Sequence, residues 1–143
     1  MKRHPLLIPF SRFHRSMLFL SLIAKKNAPV VKGYPTKIEE KIDHALRFYQ
    51  QEIIPHFEKE QRLIFDAVKE KSEKIDTLIG DLQEERKQID TFFKALNDNP
   101  ANIELFHKIG AYIEAHVRKE ERVFFQTLQA EFEDQLEQLI VIN

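Results

Sequence analysis

Two His-x-x-x-Glu pairs are the parts of this sequence best suited to chemistry: His56 with Glu60, and His116 with Glu120. Residues four apart on an α-helix lie one above the other, so each pair presents an imidazole nitrogen and a carboxylate on the same side. Imidazole and carboxylate together suit iron, manganese or zinc, with open positions if the site takes a small ligand. Cysteine is absent, which removes disulfides, thiolate zinc sites, iron–sulfur clusters and cysteine nucleophiles at once. A metal here must be held by nitrogen and oxygen.

Such pairs need helices to carry them, and the chain is punctuated for long helices. It has three glycines and six prolines in 143 residues, most of them clustered between periodic stretches. That length allows one core and one domain, spanning 1–143. Pro9 and Ser11 open a first helix that runs to about Lys26, and Asn27 to Pro35 form the longest loop. Thr36 and Glu39 have the spacing of a capping box, which starts a second helix running to about Lys71. No strong breaker separates it from a third helix, so length alone places the junction near Ser72. The third helix ends near Leu96. Asn99 as N-cap and Pro100 at the first helical position then open a fourth helix to about Gln129, and a short fifth helix covers Phe132 to Ile140.

Four long helices with short second and third connections predict an all-α fold, an antiparallel up-down-up-down four-helix bundle in which each helix turns one apolar stripe inward. On helix two the stripe is Ile42, Tyr49, Leu63 and Ala67, and His56 and Glu60 share that face. On helix four it is Ile109, Ile113, Val123 and Thr127, with His116 and Glu120. Leu7, Phe10, Met17 and Leu18 flank His14 on helix one. Ile75, Ile79, Leu82, Ile89 and Phe93 flank Arg86 on helix three. Each helix thus places a polar residue inside. Buried ionisable groups are costly unless paired or metal-bound, and a converging set asks for a common cause, which a metal supplies. Two blander readings are surface residues on misphased stripes and a hydrogen-bonded core network without metal.

Charge gives no lead on partners. Twenty-two basic and 23 acidic side chains leave no net field for nucleic acid or an anionic membrane. The apolar run from Met17 to Ala24 spans eight residues, is preceded by Arg12, His14 and Arg15, and is followed by Lys25 and Lys26. It is too short to cross a bilayer and lacks a small-residue cleavage site, so it is expected to be an amphipathic helix of a cytoplasmic protein.

Arg3-His4-Pro5 through Ser11-Arg12-Phe13-His14, then Pro55-His56-Phe57-Glu58-Lys59-Glu60, then His116-Val117-Arg118-Lys119-Glu120-Glu121-Arg122 resemble the motifs of bacterial hemerythrin-like, or HHE cation-binding, proteins over nearly the whole chain. In that family two non-haem irons sit within the bundle, bound by histidines and bridged by carboxylates. Its members bind oxygen, sense oxygen or redox state, or handle iron. The resemblance implies that His14, His56 and His116 are terminal ligands and that Glu60 and Glu120 are bridges. Where the family carries a histidine on its third helix, this chain has Glu84-Glu85-Arg86. Arginine offers only donors and cannot ligate. It either points inward, replacing the charge of one ion by bidentate bonds and leaving a mononuclear site or none, or its stem snorkels to solvent. Asp90, one turn later, is an alternative source of oxygen.

Other departures are Phe13, where an acidic residue often stands, and Gln126, where a proline often ends the fourth motif. Pro55 should kink the second helix and free the carbonyl of Gln51. His4, His44 and His107 are expected at the surface. Glu104 and His107 form one Glu-x-x-His that faces outward, whereas ferritin-like sites need two facing in. Three classes remain open. The first, favoured, is a non-enzymatic iron protein with one or two ions that binds or senses dioxygen or another small ligand, or handles iron; manganese and zinc are alternatives. The second is a metal-free relative held by Arg86 against Glu60 or Glu120, serving as a structural or interaction module. The third is a metal-dependent oxidase or peroxidase with Tyr49 or Tyr112 as proton donor. A homo-oligomer is compatible with all three.

Overall fold

The computed structural model describes residues 2–141, and among them every regular element is helical. Four rods make the bundle. The first is α1 (Ile8–Ile23). The second runs without interruption through α2 (Ile38–Phe48), a π-helical turn π1 (Tyr49–Ile53), α3 (Ile54–Glu60), a second π turn π2 (Gln61–Phe65) and α4 (Asp66–Val68). The third is α5 (Glu73–Asp98), and the fourth joins α6 (Ile103–Lys119), π3 (Glu120–Phe124) and α7 (Phe125–Glu131). A one-turn helix, α8 (Leu136–Leu139), closes the chain and is shorter than the fifth helix expected from Phe132 to Ile140.

Neighbouring rods run antiparallel, as their contacts show. Phe13 meets Phe48 while Lys59, further along the second rod, lies over Phe10. Tyr49 meets Asp90 while Gln61 meets Gln83, and Glu85 meets His116 while Asp81 meets Lys119. The first and fourth rods close the ring, and they do so tightly. A Cβ on Gly110 of α6 would lie 2.6 Å from the Cβ of Ala24 at the end of α1, so only glycine permits this approach. No helix among the described residues is long and apolar enough to cross a membrane.

Three helix starts follow local chemistry, and two of them differ from the sequence reading. At Ser72 the hydroxyl accepts the N–H of Ile75, an N-cap that ends the ambiguity between the second and third rods. Glu70 takes a positive φ of 65° at this corner, with its N–H donated to Asp76. The fourth rod is capped by Asn102, whose side chain accepts from Leu105, and not by Asn99. Asn99, Pro100 and Ala101 form a preceding turn instead, since Asn102 donates back to Asn99. The Thr36 capping box does not form either. Helix α2 begins two residues later, behind Lys37 without a side-chain cap, and Glu39 and Glu40 favour that terminus through the helix dipole.

The π turns explain the largest departure from the expected stripes. Pro55 has no N–H to give to Gln51, and just before it the wider π1 turn lets Ile54 donate to Tyr49, five residues back. The turns π2 and π3 each insert one extra residue, and the buried face shifts beyond them. Past Glu60 the buried positions are therefore Ile64, Phe65 and Val68, while Leu63 and Ala67 are only half-buried. Past Glu120 they are Phe124, Phe125 and Leu128, with Val123 43% exposed and Thr127 half-buried. Stripes drawn at 3.6 residues per turn hold up to each glutamate and slip by one after it.

Two apolar clusters fill the interior. One gathers Met17, Leu20, Ile42, Ala45, Ile89, Phe93, Ile109 and Ile113 with their neighbours. The other gathers Leu7, Phe10, Ile64, Phe65, Ile75, Leu82, Phe124 and Phe125. Between them lies the polar layer.

Candidate metal centre

Six ionisable side chains from all four rods meet in that layer: His14 from α1, His56 and Glu60 from α3, Arg86 from α5, His116 from α6 and Glu120 from the first position of π3. All six are buried. His14, His56 and Glu60 each bring a ligand atom within 4.8 Å of the others. Glu120 lies between two imidazoles, with Oε1 3.3 Å from His14 Nε2 and Oε2 3.7 Å from His116 Nε2.

Two carboxylates behind the centre fix its imidazoles. His14 Nδ1 lies 3.2 Å from Glu121 Oε2, and His116 Nδ1 lies 2.8 Å from Glu85 Oε1. An ionised carboxylate can only accept, so in each case Nδ1 carries the proton and Nε2 turns its lone pair, or a second proton, toward the centre. These carboxylates are anchored in turn. Ser11 donates to Glu121 at 2.9 Å, the Arg3 guanidinium lies 3.8 Å from it, and Lys119 donates to Glu85 at 2.9 Å. Sequence reading did not single out Glu85 or Glu121. Their only sequence signal is adjacency to Arg86 and Glu120, because what they touch depends on how neighbouring rods pack.

Arg86 settles inward. Its guanidinium donates to Glu60 Oε1 and, at 3.3 Å, to the Phe57 carbonyl, and it stacks over the rings of Phe57 and Phe65 at 4.7 and 4.3 Å. Snorkelling to solvent is thereby excluded. The alternatives to it do not join the centre. Asp90 is exposed and accepts the Tyr49 hydroxyl at 2.5 Å, and Tyr49 stacks on Phe93. Burial and the Asp90 carboxylate raise the Tyr49 pKa, which makes it a reluctant proton donor. Tyr112 is half-buried against Phe92. The other histidines have local roles. His107 is bonded to the Ala24 carbonyl at 2.6 Å, a tie between α6 and α1 where a surface residue was expected. His44 stacks on Phe48, and His4 accepts the N–H of Leu6.

The electrostatics are those of charges in a dry space. Burial alone would lower the pKa of His14, but the Glu120 charge beside Nε2 and the Glu121 carboxylate that accepts from Nδ1 lift it to about 9. Burial drives His56 the other way, to about 3, with help from the charge on His14. Burial also opposes ionisation of Glu120, yet His14, Arg86 and His116 hold its carboxyl well below the ordinary range. Even so, the centre is not closed. Nε2 of His56 and of His116, Oε2 of Glu60 and both oxygens of Glu120 are buried without a hydrogen-bond partner. Such orphans are rare in proteins because each costs on the order of 1–3 kcal/mol. The donors of His14, His56 and Glu60 converge closely enough for one cation, Glu120 and His116 adjoin them through the 3.3 and 3.7 Å contacts without joining that group, and imidazole with carboxylate fits a hard or borderline divalent cation.

Comparison with known proteins gives the same direction. The family model described as the hemerythrin HHE cation binding domain matches residues 14–128. No curated protein and no solved structure matches the chain.

Proposed function

That match makes the chain a member of the hemerythrin HHE cation-binding family, and on this premise we propose that it is a non-enzymatic iron protein whose core holds a single ion. The orphaned ligand atoms carry the reading. His14, His56 and Glu60 would supply ligands from one side and Glu120 and His116 from the other. Manganese or zinc would suit the same donors less specifically. A ferrous ion there would supply a redox-active Lewis acid able to take dioxygen or another small ligand.

Arg86 favours one ion over two. A carboxylate that bridges two metals uses both oxygens, and Glu60 Oε1 is already engaged by the guanidinium. Only Oε2 is left, enough for one ion. Arg86 therefore acts as a fixed positive charge where the family's second ion would sit. The surrounding residues have separate tasks: Glu121 and Glu85 hold the two imidazoles in register, and the apolar clusters on either side exclude water.

A metal-free structural module is the second reading, favoured by the ion pairs that already form. A protonated His14 beside Glu120, and Arg86 on Glu60, neutralise both buried carboxylates without a metal. Metal analysis of protein purified from iron-supplemented cells, with optical spectra in the presence and absence of dioxygen, separates the two. About one iron per chain is expected. Two would overturn the role given to Arg86, and none at any occupancy would leave the structural reading.

A further inference from the structure

Among the three buried histidines, His56 stands apart. His14 and His116 each have a carboxylate behind Nδ1, whereas no described residue makes a hydrogen bond to the His56 ring. It is also the most exposed of the proposed ligands, at 8% against 0–2% for the other four. Its ring is held by ring contacts: Phe13 stacks on it at 4.2 Å and 21°, His14 meets it edge-on at 5.3 Å, and Phe10 lies 5.9 Å away. Outside that ring a surface pocket of about 290 Å³ opens between α1 and the second rod, lined by Pro9, Phe13, Glu52, His56 and Lys59 among others.

We infer that this pocket is the port through which a hydrated divalent cation reaches the centre, with Phe13 as its shutter and Glu52 as the first carboxylate the cation meets. The inference rests on the metal-binding reading above and adds a route to it. Size permits it, since six waters at about 30 Å³ each need about 180 Å³. Charge permits it as well. Glu52 is exposed at the mouth and has no salt-bridge partner among the described residues, so its field acts on whatever approaches. A second pocket that touches the layer, of about 560 Å³, carries Glu58, Asp66 and Asp90 against Arg62, Arg86 and Lys87, and where it meets the layer it presents the Arg86 guanidinium and not a ligand atom. The shutter needs no backbone motion. Phe13 is half-buried against His56 at the pocket, stacked on Phe48 as well, and a rotamer change would uncover the face of the imidazole.

Lys59, seven residues after Glu52 and so on the same face of the second rod, shares the mouth, which gives the test a built-in sign reversal. The chain is stripped with chelator, then mixed in a stopped-flow instrument with Co²⁺, whose visible absorption reports coordination, and release is timed into excess chelator. Glu52→Gln should slow uptake about threefold at low salt, Lys59→Met should speed it by a similar factor, and both differences should vanish at high salt. Phe13→Ala should speed uptake several-fold, and release by at least as much, because the ring it uncovers also loses its packing. Glu52 and Lys59 are exposed, so their variants report on the port even if Phe13→Ala does not fold. Wild-type uptake rates in both charge variants overturn the port while the metal site stands. A Phe13→Ala variant that releases faster but takes up no faster also overturns it, because Phe13 would then only stabilise His56. Failure of the native chain to bind Co²⁺ overturns the port and the metal reading together.

Discussion

Replacing Arg86 by methionine tests the centre most directly, because it removes a charge and little else. The thioether keeps the stem between the rings of Phe57 and Phe65, where sulfur packs well. What is lost is the guanidinium on Glu60, a carboxylate with no exposure of its own, and a bond to the Phe57 carbonyl. Breaking one side of a buried ion pair costs about 3–5 kcal/mol, because the other charge stays behind unpaired. For a chain of this length, about 3 °C of Tm per kcal/mol gives a fall of about 10–15 °C. The assay is thermal melting followed by circular dichroism, in chelator and again with excess Fe²⁺ under anaerobic conditions. In chelator the full fall is expected. With Fe²⁺ the gap between variant and native protein should close by half or more, since an ion on Glu60 supplies the charge that arginine gave. The double variant Glu60→Gln with Arg86→Met should recover most of the loss in chelator, because neither charge is left buried. A fall below about 3 °C in chelator would mean that Glu60 does not carry a buried charge matched by arginine. A gap indifferent to Fe²⁺ would mean that no cation reaches this carboxylate.

Arg86→His should raise iron content per chain toward two, and unchanged stoichiometry would count against the arginine as a stand-in cation. Glu85→Gln should weaken metal affinity about 10–100-fold through loss of the carboxylate that orients His116, measured by competition with a chelator; native affinity would show that His116 does not bind. The pH profile of the chelated protein follows from two opposed histidines. His14, lifted from 6.5 to about 9, contributes stability that is complete below pH 6.5 and lost as pH rises through 9. His56, lowered to about 3, contributes stability that is present above pH 6.5 and lost as pH falls through 3. Urea midpoints should therefore peak near neutrality, and a profile flat from pH 5 to 9 would refute both assignments. Gly110→Ala should cost about 1–3 kcal/mol through the clash with Ala24, and adding Ala24→Gly should recover it; a stable Gly110→Ala variant would show that α1 can move away freely.

How much of this was legible in the sequence depends on the distance over which a signal acts. His14, His56, Glu60, Arg86, His116 and Glu120 could be assigned to the interior because each interrupts an apolar stripe on its own helix, a local pattern. The up-down order followed from rod lengths and short connections. The stripes slipped after Glu60 and Glu120 because a π turn is a backbone event that no single residue announces. Thr36 misled as a cap because its capping-box spacing says nothing of where the backbone turns helical. Asn102 is two residues from Pro100, and the turn between them decided which asparagine faces the helix. Glu85 and Glu121 were illegible for a different reason: their partners His116 and His14 lie 31 and 107 residues away.

The polar layer also partitions the interior. On one side lie Met17, Ile42, Phe93 and Ile109 with their neighbours, on the other Leu7, Phe65, Leu82 and Phe124, and the two apolar sets share no buried member. Each is a small core of its own, crossed by the same four rods. A cation gripping residues from three of those rods at the boundary would act as a rivet, making the halves melt as one unit. Its signature is then the steepness of the unfolding transition as much as its midpoint, since binding at the seam turns two loosely coupled transitions into a single cooperative one.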